Sequence, residues 1–154
     1  MRCIQATFLI SALLVVTDAL AGGTHVGKVV SIAEGDTLRL AELDAPERGQ
    51  TYGQRVKKYL GQLAFRKQAR VVEVDQDRYG RLVGRVYVDG LDVNAEMVRQ
   101  GHARVYRKYA TDSELYRLER EARQQRRGLW ASDGNIPPWQ WRAGQRTIEP
   151  KIRS

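Results

Sequence analysis

An α+β domain built around a small β-barrel is the fold this sequence predicts. Short extended segments with apolar alternation occupy the first half, one amphipathic helix interrupts them, and the last third turns helical. A length of 154 residues with 42% hydrophobic content suits one compact domain with its own core rather than two.

Residues 1–21 read as an export signal. Arg2 supplies the positive start, residues 8–16 the apolar run, and Ala19-Leu20-Ala21 a small-x-small cleavage site before Gly22. The run is shorter than the roughly 20 residues a spanning helix needs. The expected organisation is therefore a signal over 1–21, a main domain over 22–131 and a Trp/Pro-containing tail over 132–154. The mature chain is expected to be secreted or periplasmic, monomeric and without stable membrane association.

The first strand is expected over residues 26–32, followed by the turn Ala33-Glu34-Gly35-Asp36. A second extended segment covers 37–43 and ends in Asp44-Ala45-Pro46-Glu47. Over 54–65, Val56, Tyr59, Leu60 and Leu63 share one helical face while Arg55, Lys57 and Lys58 face water. Alternation returns over 70–74. Segments 82–88 and 91–93 flank Asp89-Gly90, a hairpin turn in which glycine accepts the positive φ required. A short helix over 93–100 is capped by Asp92 and stopped by Gly101. The last predicted helix starts with Thr111-x-x-Glu114 as a capping box and runs to Arg127 before Gly128. Its apolar stripe is Leu115, Leu118 and Ala122, and Glu119 to Arg123 is a favourable i,i+4 pair. In the tail, Trp130, Trp139 and Trp141 are expected to pin the chain to the body, with disorder beyond about Arg146.

The sole cysteine, Cys3, lies within the expected signal, so the mature domain can form neither a disulfide nor a Cys-ligated zinc site. The formal net charge of +8 suits a polyanionic partner, because each Lys or Arg placed on a phosphate releases condensed counterions. His25 and His102 show no metal-ligand spacing and are assigned to structure or solvent.

The chemistry lies in four patterns taken together: Glu34-Gly35-Asp36-Thr37; Arg39 through Asp44-Ala45-Pro46-Glu47; Asp77-Arg78-Tyr79-Gly80-Arg81; and Val93-Asn94-Ala95-Glu96-Met97-Val98-Arg99-Gln100-Gly101. Asp36 and Asp44 are hard oxygen donors of the kind Ca²⁺ prefers, and a backbone carbonyl near Pro46 could add a third. Glu47 is the acid beside them able to take or orient a proton from an attacking water. Arg39 and Arg81 offer forked donors for phosphoryl oxygens, which lysine cannot reproduce. Each pattern alone also reads as ordinary structure. Gly35-Asp36 is a turn, Asp44 opens the turn before Pro46, the arginines are solvated strand-edge charges, and the tyrosines are packing.

In order and identity, the four patterns resemble the staphylococcal nuclease family, and the likeness extends over residues 27–130. The resemblance implies an OB-like barrel with three helices and a Ca²⁺-dependent phosphodiesterase acting on DNA, RNA or both. By that resemblance Asp36 and Asp44 are the two calcium aspartates, and Ala45 contributes its carbonyl to the ion. Glu47 is the general base, and Arg39 and Arg81 are the phosphate-binding arginines. Arg78 contacts phosphate, Tyr79 lies beside the nucleotide, and Tyr106 and Tyr109 lie near the bound base.

One departure stands out. In the family a strand and a hairpin turn separate the first aspartate from the first arginine, whereas Asp36 and Arg39 here are three residues apart. The barrel is therefore expected to be incomplete, with an edge left unpaired or poorly covered. If 37–43 is one extended strand, Asp44 lies roughly 20 Å from Asp36 and the two cannot share an ion. Two ways out remain: 37–43 folds back as an irregular loop, or it takes the place of the family's third strand with Asp36 displaced, and the second keeps Arg39, Asp44, Glu47 and Arg81 together. Activity is then expected to fall below that of a relative with both strands, and the rival reading is a basic nucleic-acid-binding module that has lost catalysis.

Overall fold

The computed structural model describes residues 8–12, 23–34, 38–47, 49–77 and 80–148. Asp36, Thr37, Arg78 and Tyr79 lie outside the described residues, as does most of the expected export signal.

The main sheet runs in the order β1 (Phe8–Ala12), β2 (Thr24–Glu34), β5 (Gln68–Gln76), β6 (Leu82–Val88) and β3 (Leu38–Leu40). Its backbone is the antiparallel trio β2, β5 and β6, with Thr24 opposite Val72 and Ala69 opposite Val88. β2 is long enough to serve two partners: its first half pairs with β5, and its second half pairs antiparallel with β1, Phe8 opposite Glu34. An irregularity between Glu73 and Asp75 shifts the register of β5 on β6, and pairing resumes with Asp75 opposite Val83. β3 joins the far edge parallel to β6, with Leu38 opposite Leu82. The sheet curls so that β1 and β3 approach each other without pairing, and the barrel does not close.

β1, from the segment read as an export signal, pairs along the second half of β2, and cleavage near Gly22 would remove it. An apolar run that reads as the core of an export signal has the same local propensity as a strand, and an open edge supplies the missing hydrogen-bond partners.

The segment 37–43 is not one strand. Extended backbone lasts only through Leu40; Ala41 and Glu42 form a turn, and β4 (Leu43–Asp44) then pairs with β8 (Arg104–Val105). Three contacts enforce the turn. Ala41 N–H donates to the Gly84 carbonyl at 2.8 Å, Asn94 Nδ2 donates to the Ala41 carbonyl at 3.1 Å, and Tyr106 N–H donates to the Glu42 carbonyl at 2.8 Å. Glu42 adopts φ 63°, a left-handed conformation that only such over-determination holds for a non-glycine residue. This reversal brings Asp44 back toward Arg39.

Helix α1 (Gly53–Ala64) buries Val56, Leu60 and Ala64 under the sheet, as its periodicity requires. The hairpin at Asp89-Gly90 forms between β6 and β7 (Leu91–Asp92). Asp92 caps α2 (Val93–Arg99) by accepting from Ala95 N–H at 2.9 Å, and Gly101 has φ 70°. Helix α3 (Ser113–Gln124) presents Leu115, Leu118 and Ala122 to the core. Its cap differs from the expected Thr111 box. Asp112 is the N-cap and accepts from Glu114 N–H, while the Glu42 carboxylate accepts from the Thr111 and Asp112 N–H groups. Asp112 thus takes the acceptor role that local spacing had given to Thr111, and the long-range acid Glu42 takes the one it had given to Glu114. The expected Glu119 to Arg123 pair forms at 3.1 Å, and buried Glu119 also accepts from Val105 N–H at 3.0 Å.

A 3-10 turn, Gly128–Ala131, leads to a fourth helix, α4 (Pro138–Ile148), where three helices were expected and the tail was read as irregular. Pro138 sits in its first turn, where a missing N–H costs nothing. The helix packs back over the loop that follows β4.

Candidate active site

Two clusters meet where β3, β4 and the loop between β5 and β6 converge. The first is built on Asp77. Gly80 N–H donates to the Asp77 carbonyl and Asp77 N–H to that of Arg81, a tight loop that Gly80 permits with φ 76°. The loop folds Arg81 back onto its own acid: Arg81 Nε and Nη2 lie 2.7 Å from Asp77 Oδ2. Arg39 reaches the same oxygen from β3, with Nη1 at 3.6 Å. One carboxylate therefore holds both phosphate-type arginines on neighbouring strands.

The second cluster is acidic. Asp44, at the end of β4, and Glu47, in the loop beyond it, are 4% and 2% exposed. Charged groups so deeply buried require a partner. That partner is Arg142 of α4. Its Nη1 donates to Asp44 Oδ1 at 3.0 Å and to Glu47 Oε1 at 2.6 Å, and its Nη2 donates to Asp44 Oδ2. Burial pushes the Asp44 carboxyl above its ordinary range; the hydrogen bonds and charge of Arg142, and the charge of Arg39, oppose that shift without cancelling it. Burial also disfavours the Arg142 charge, but the hydrogen bonds and charges of Asp44 and Glu47 outweigh it and raise its pKa. The Glu47 loop is braced separately. Glu47 N–H donates to Gln50 Oε1 at 2.8 Å, and Gln50 Nε2 donates to the Ile136 carbonyl at 2.9 Å.

Arg39, Asp44 and Ala45 line one cleft together with Leu40, Leu43 and Met97. Of the residues that sequence singled out, Arg39, Asp44, Ala45, Glu47 and Arg81 thus converge. Tyr106 and Tyr109 stand together beside β8 with ring centroids 5.1 Å apart, edge to face, and Tyr106 stacks on Trp139 of α4 at 5.5 Å and 9°. Asp36, Arg78 and Tyr79 lie outside the described residues.

Three contributors had no assigned role. Asp77 lay within a quoted pattern, and an acid four residues before an arginine could have signalled their pairing. Buried Asn94 accepts from Val86 N–H at 3.0 Å and donates to the Ala41 and Gly84 carbonyls, which holds the turn between Arg39 and Asp44. Arg142 had no local signal, because nothing in residue spacing ties position 142 to position 44.

Two buried carboxylates converging on one positive group form the donor set that a hard divalent cation takes. Among the described residues no group of three or more His, Cys, Asp or Glu side chains gathers at one point. The acids present fit such a cation as part of a ligand set, with the Ala45 carbonyl adjacent.

Residues 37–132 match the model of the staphylococcal nuclease homologue family. The chain belongs to the staphylococcal nuclease family. It is 38% identical to a protein named micrococcal nuclease from Shigella flexneri, over 86% of this chain and 88% of that one. It is 44% identical to a protein named uncharacterized endonuclease from Escherichia coli O157:H7, over 75% and 84% of the two chains. A similarly named protein of Haemophilus influenzae is 36% identical over 90% and 86%. The family span begins just past Asp36 and contains Arg39, Asp44, Glu47, Asp77 and Arg81; α4, with Trp139 and Arg142, lies beyond it. The open, mixed sheet with β3 on its edge is consistent with the OB-like fold of staphylococcal nucleases.

Proposed function

We propose that this chain is an exported, calcium-dependent nuclease that hydrolyses phosphodiester bonds of DNA, RNA or both by in-line attack of water. The observation that carries the reading is the convergence of buried Asp44 and Glu47 beside Arg39 and Arg81 in one cleft region. Asp44, with the Ala45 carbonyl and Asp36, would hold the ion. Bound Ca²⁺ would neutralise phosphate charge and polarise the phosphoryl oxygen. Glu47 takes the proton of the attacking water, a role suited to a carboxylate buried beside Asp44 once Arg142 gives it up. Arg39 and Arg81 stabilise the charge that grows on the phosphoryl oxygens, and Asp77 holds both in place before substrate arrives. Tyr106 and Tyr109 offer rings on which bases stack without sequence preference.

Incubating the protein with single- and double-stranded DNA and with RNA, first in calcium and then with a chelator, tests this. Chelator-sensitive degradation is expected; salt-sensitive retention without cleavage would establish the binding module instead. Export rests on the N-terminal pattern. Mass determination of the protein recovered from the periplasm or medium is expected to give a start near Gly22, and an intact Met1 there would refute signal cleavage.

A further inference from the structure

We propose that helix α4 is an autoinhibitory latch: the Arg142 guanidinium occupies Asp44, where the divalent cation would bind, and ties up Glu47, while Trp139 stands in for a nucleobase on Tyr106. The inference rests on the nuclease reading above, because it assigns those two positions to metal and base.

Two independent contacts from one helix carry the argument. Arg142 binds both acids at once. Three residues earlier, the Trp139 indole lies nearly parallel to the Tyr106 ring at 5.5 Å. Residues three apart share a helix face, so a single seating of α4 covers both halves of the site. A purely structural clasp would explain either contact by itself; the latch follows from both contacts falling on the residues that the nuclease reading gives to metal, base and nucleotide.

The charge balance shows how the latch could open. Arg142 holds the acids that the nuclease reading assigns to the ion and to the proton-taking base, so a divalent cation arriving at Asp44, with two charges to the guanidinium's one, competes with it. Opening needs no unfolding of the domain. The chain before α4 is fastened by Arg104 Nη2 to the Asn135 carbonyl at 2.8 Å and by Gln50 Nε2 to the Ile136 carbonyl at 2.9 Å. Pro137-Pro138 follows these anchors, and at Gly144 the outer face of the helix looks onto open space. Release from residue 138 onward would leave the anchors and the core unchanged.

The test uses the full chain, with calcium alone and then calcium with a short oligothymidylate as probes. Calcium affinity is read by competition with a fluorescent chelator, and tryptophan emission reports on α4. If the closed seating holds about nine-tenths of the molecules, Arg142→Ala tightens the apparent calcium dissociation constant about tenfold. Trp139→Ala, which leaves both acids paired, is expected to shift calcium affinity in the same direction by a smaller factor and to strengthen oligothymidylate binding. In the unaltered protein, calcium with oligothymidylate is expected to change tryptophan emission and to speed limited proteolysis within α4, beyond residue 138. The latch is overturned if calcium binding in Arg142→Ala is unchanged or weaker while the unaltered protein binds calcium and cleaves DNA. It is overturned equally if Arg142→Ala does not fold and Trp139→Ala leaves both affinities unmoved. If the unaltered protein and both variants bind neither calcium nor oligothymidylate, the nuclease reading fails, and the latch with it.

Discussion

Replacing Asn94 with alanine should destabilise the domain and loosen its active site together. Asn94 is 1% exposed, and its side chain serves three backbone groups: it accepts from Val86 N–H at 3.0 Å and donates to the carbonyls of Ala41 at 3.1 Å and Gly84 at 3.3 Å. In Asn94→Ala the Gly84 carbonyl keeps its bond from Ala41 N–H. Val86 N–H and the Ala41 carbonyl lose a buried partner, at about 1–3 kcal/mol each, so a total of about 2–5 kcal/mol follows. A loss of about 3 kcal/mol moves a urea midpoint down by about 1.5 M for a slope near 2 kcal/mol/M. Urea unfolding followed by far-ultraviolet circular dichroism measures this directly. Asn94→Asp retains the acceptor for Val86 N–H but sets a buried carboxylate oxygen against the Ala41 and Gly84 carbonyls, and should be at least as destabilising as alanine. A midpoint shift corresponding to less than about 1 kcal/mol in Asn94→Ala would show that these bonds do not hold the turn, and would remove the account of how Asp44 is brought back toward Arg39.

Glu47→Gln should lower cleavage by a factor on the order of 100 or more with oligonucleotide affinity nearly intact, and an unchanged rate would exclude Glu47 as the base. Asp77→Ala frees Arg39 and Arg81 from their shared carboxylate; kcat should fall by up to about 100-fold, because misplacement of charge-stabilising groups acts on the transition state, and the thermal midpoint should fall as well, because a largely buried ion pair and the bond from Arg81 N–H are lost. His102 stacks between Tyr52 and Tyr59 at 5.6 and 4.1 Å, and burial lowers its pKa below 6.5. The unfolded chain then takes up the proton first, so this contribution to stability is fully present above pH 6.5 and is lost as pH falls toward the folded-state pKa. Stability measured from pH 7 to pH 5 should decline less in His102→Phe than in the unaltered protein. Gly101→Ala should be strongly destabilising by calorimetry, by more than about 2 kcal/mol, because a Cβ there would lie 2.3 Å from the Arg127 carbonyl oxygen at φ 70°.

Local physics was readable wherever the signal was local. The apolar stripe of α1, the Asp89-Gly90 hairpin, the Asp92 cap and the Gly101 stop each depend on residues within one turn of each other, and each formed. Whether residues 37–43 run on as one strand or fold back stayed open in the sequence for the opposite reason. Their path is set by Gly84, Asn94 and Tyr106, which meet Ala41 and Glu42 from other elements. The Thr111 box lost to Asp112 and Glu42 because an acid distant in sequence lay closer in space. For α4, a tail with two prolines and mixed polarity has little helical signal of its own, and burial of Pro138 with the pairing of Arg142 gives the helix its place.

Composition and motif order alone were enough to yield the chemistry of the site: which acids could carry a cation or a proton, which arginines could grip a phosphate, and the family to which the chain belongs. These follow from residue type, and charge and donor geometry travel with the side chain wherever it is placed. Which acid aligns the arginines, which edge β1 covers and what sits between Asp44 and Glu47 emerged only from folding. Each is a contact between residues far apart along the chain, and no period or spacing encodes the distance between them.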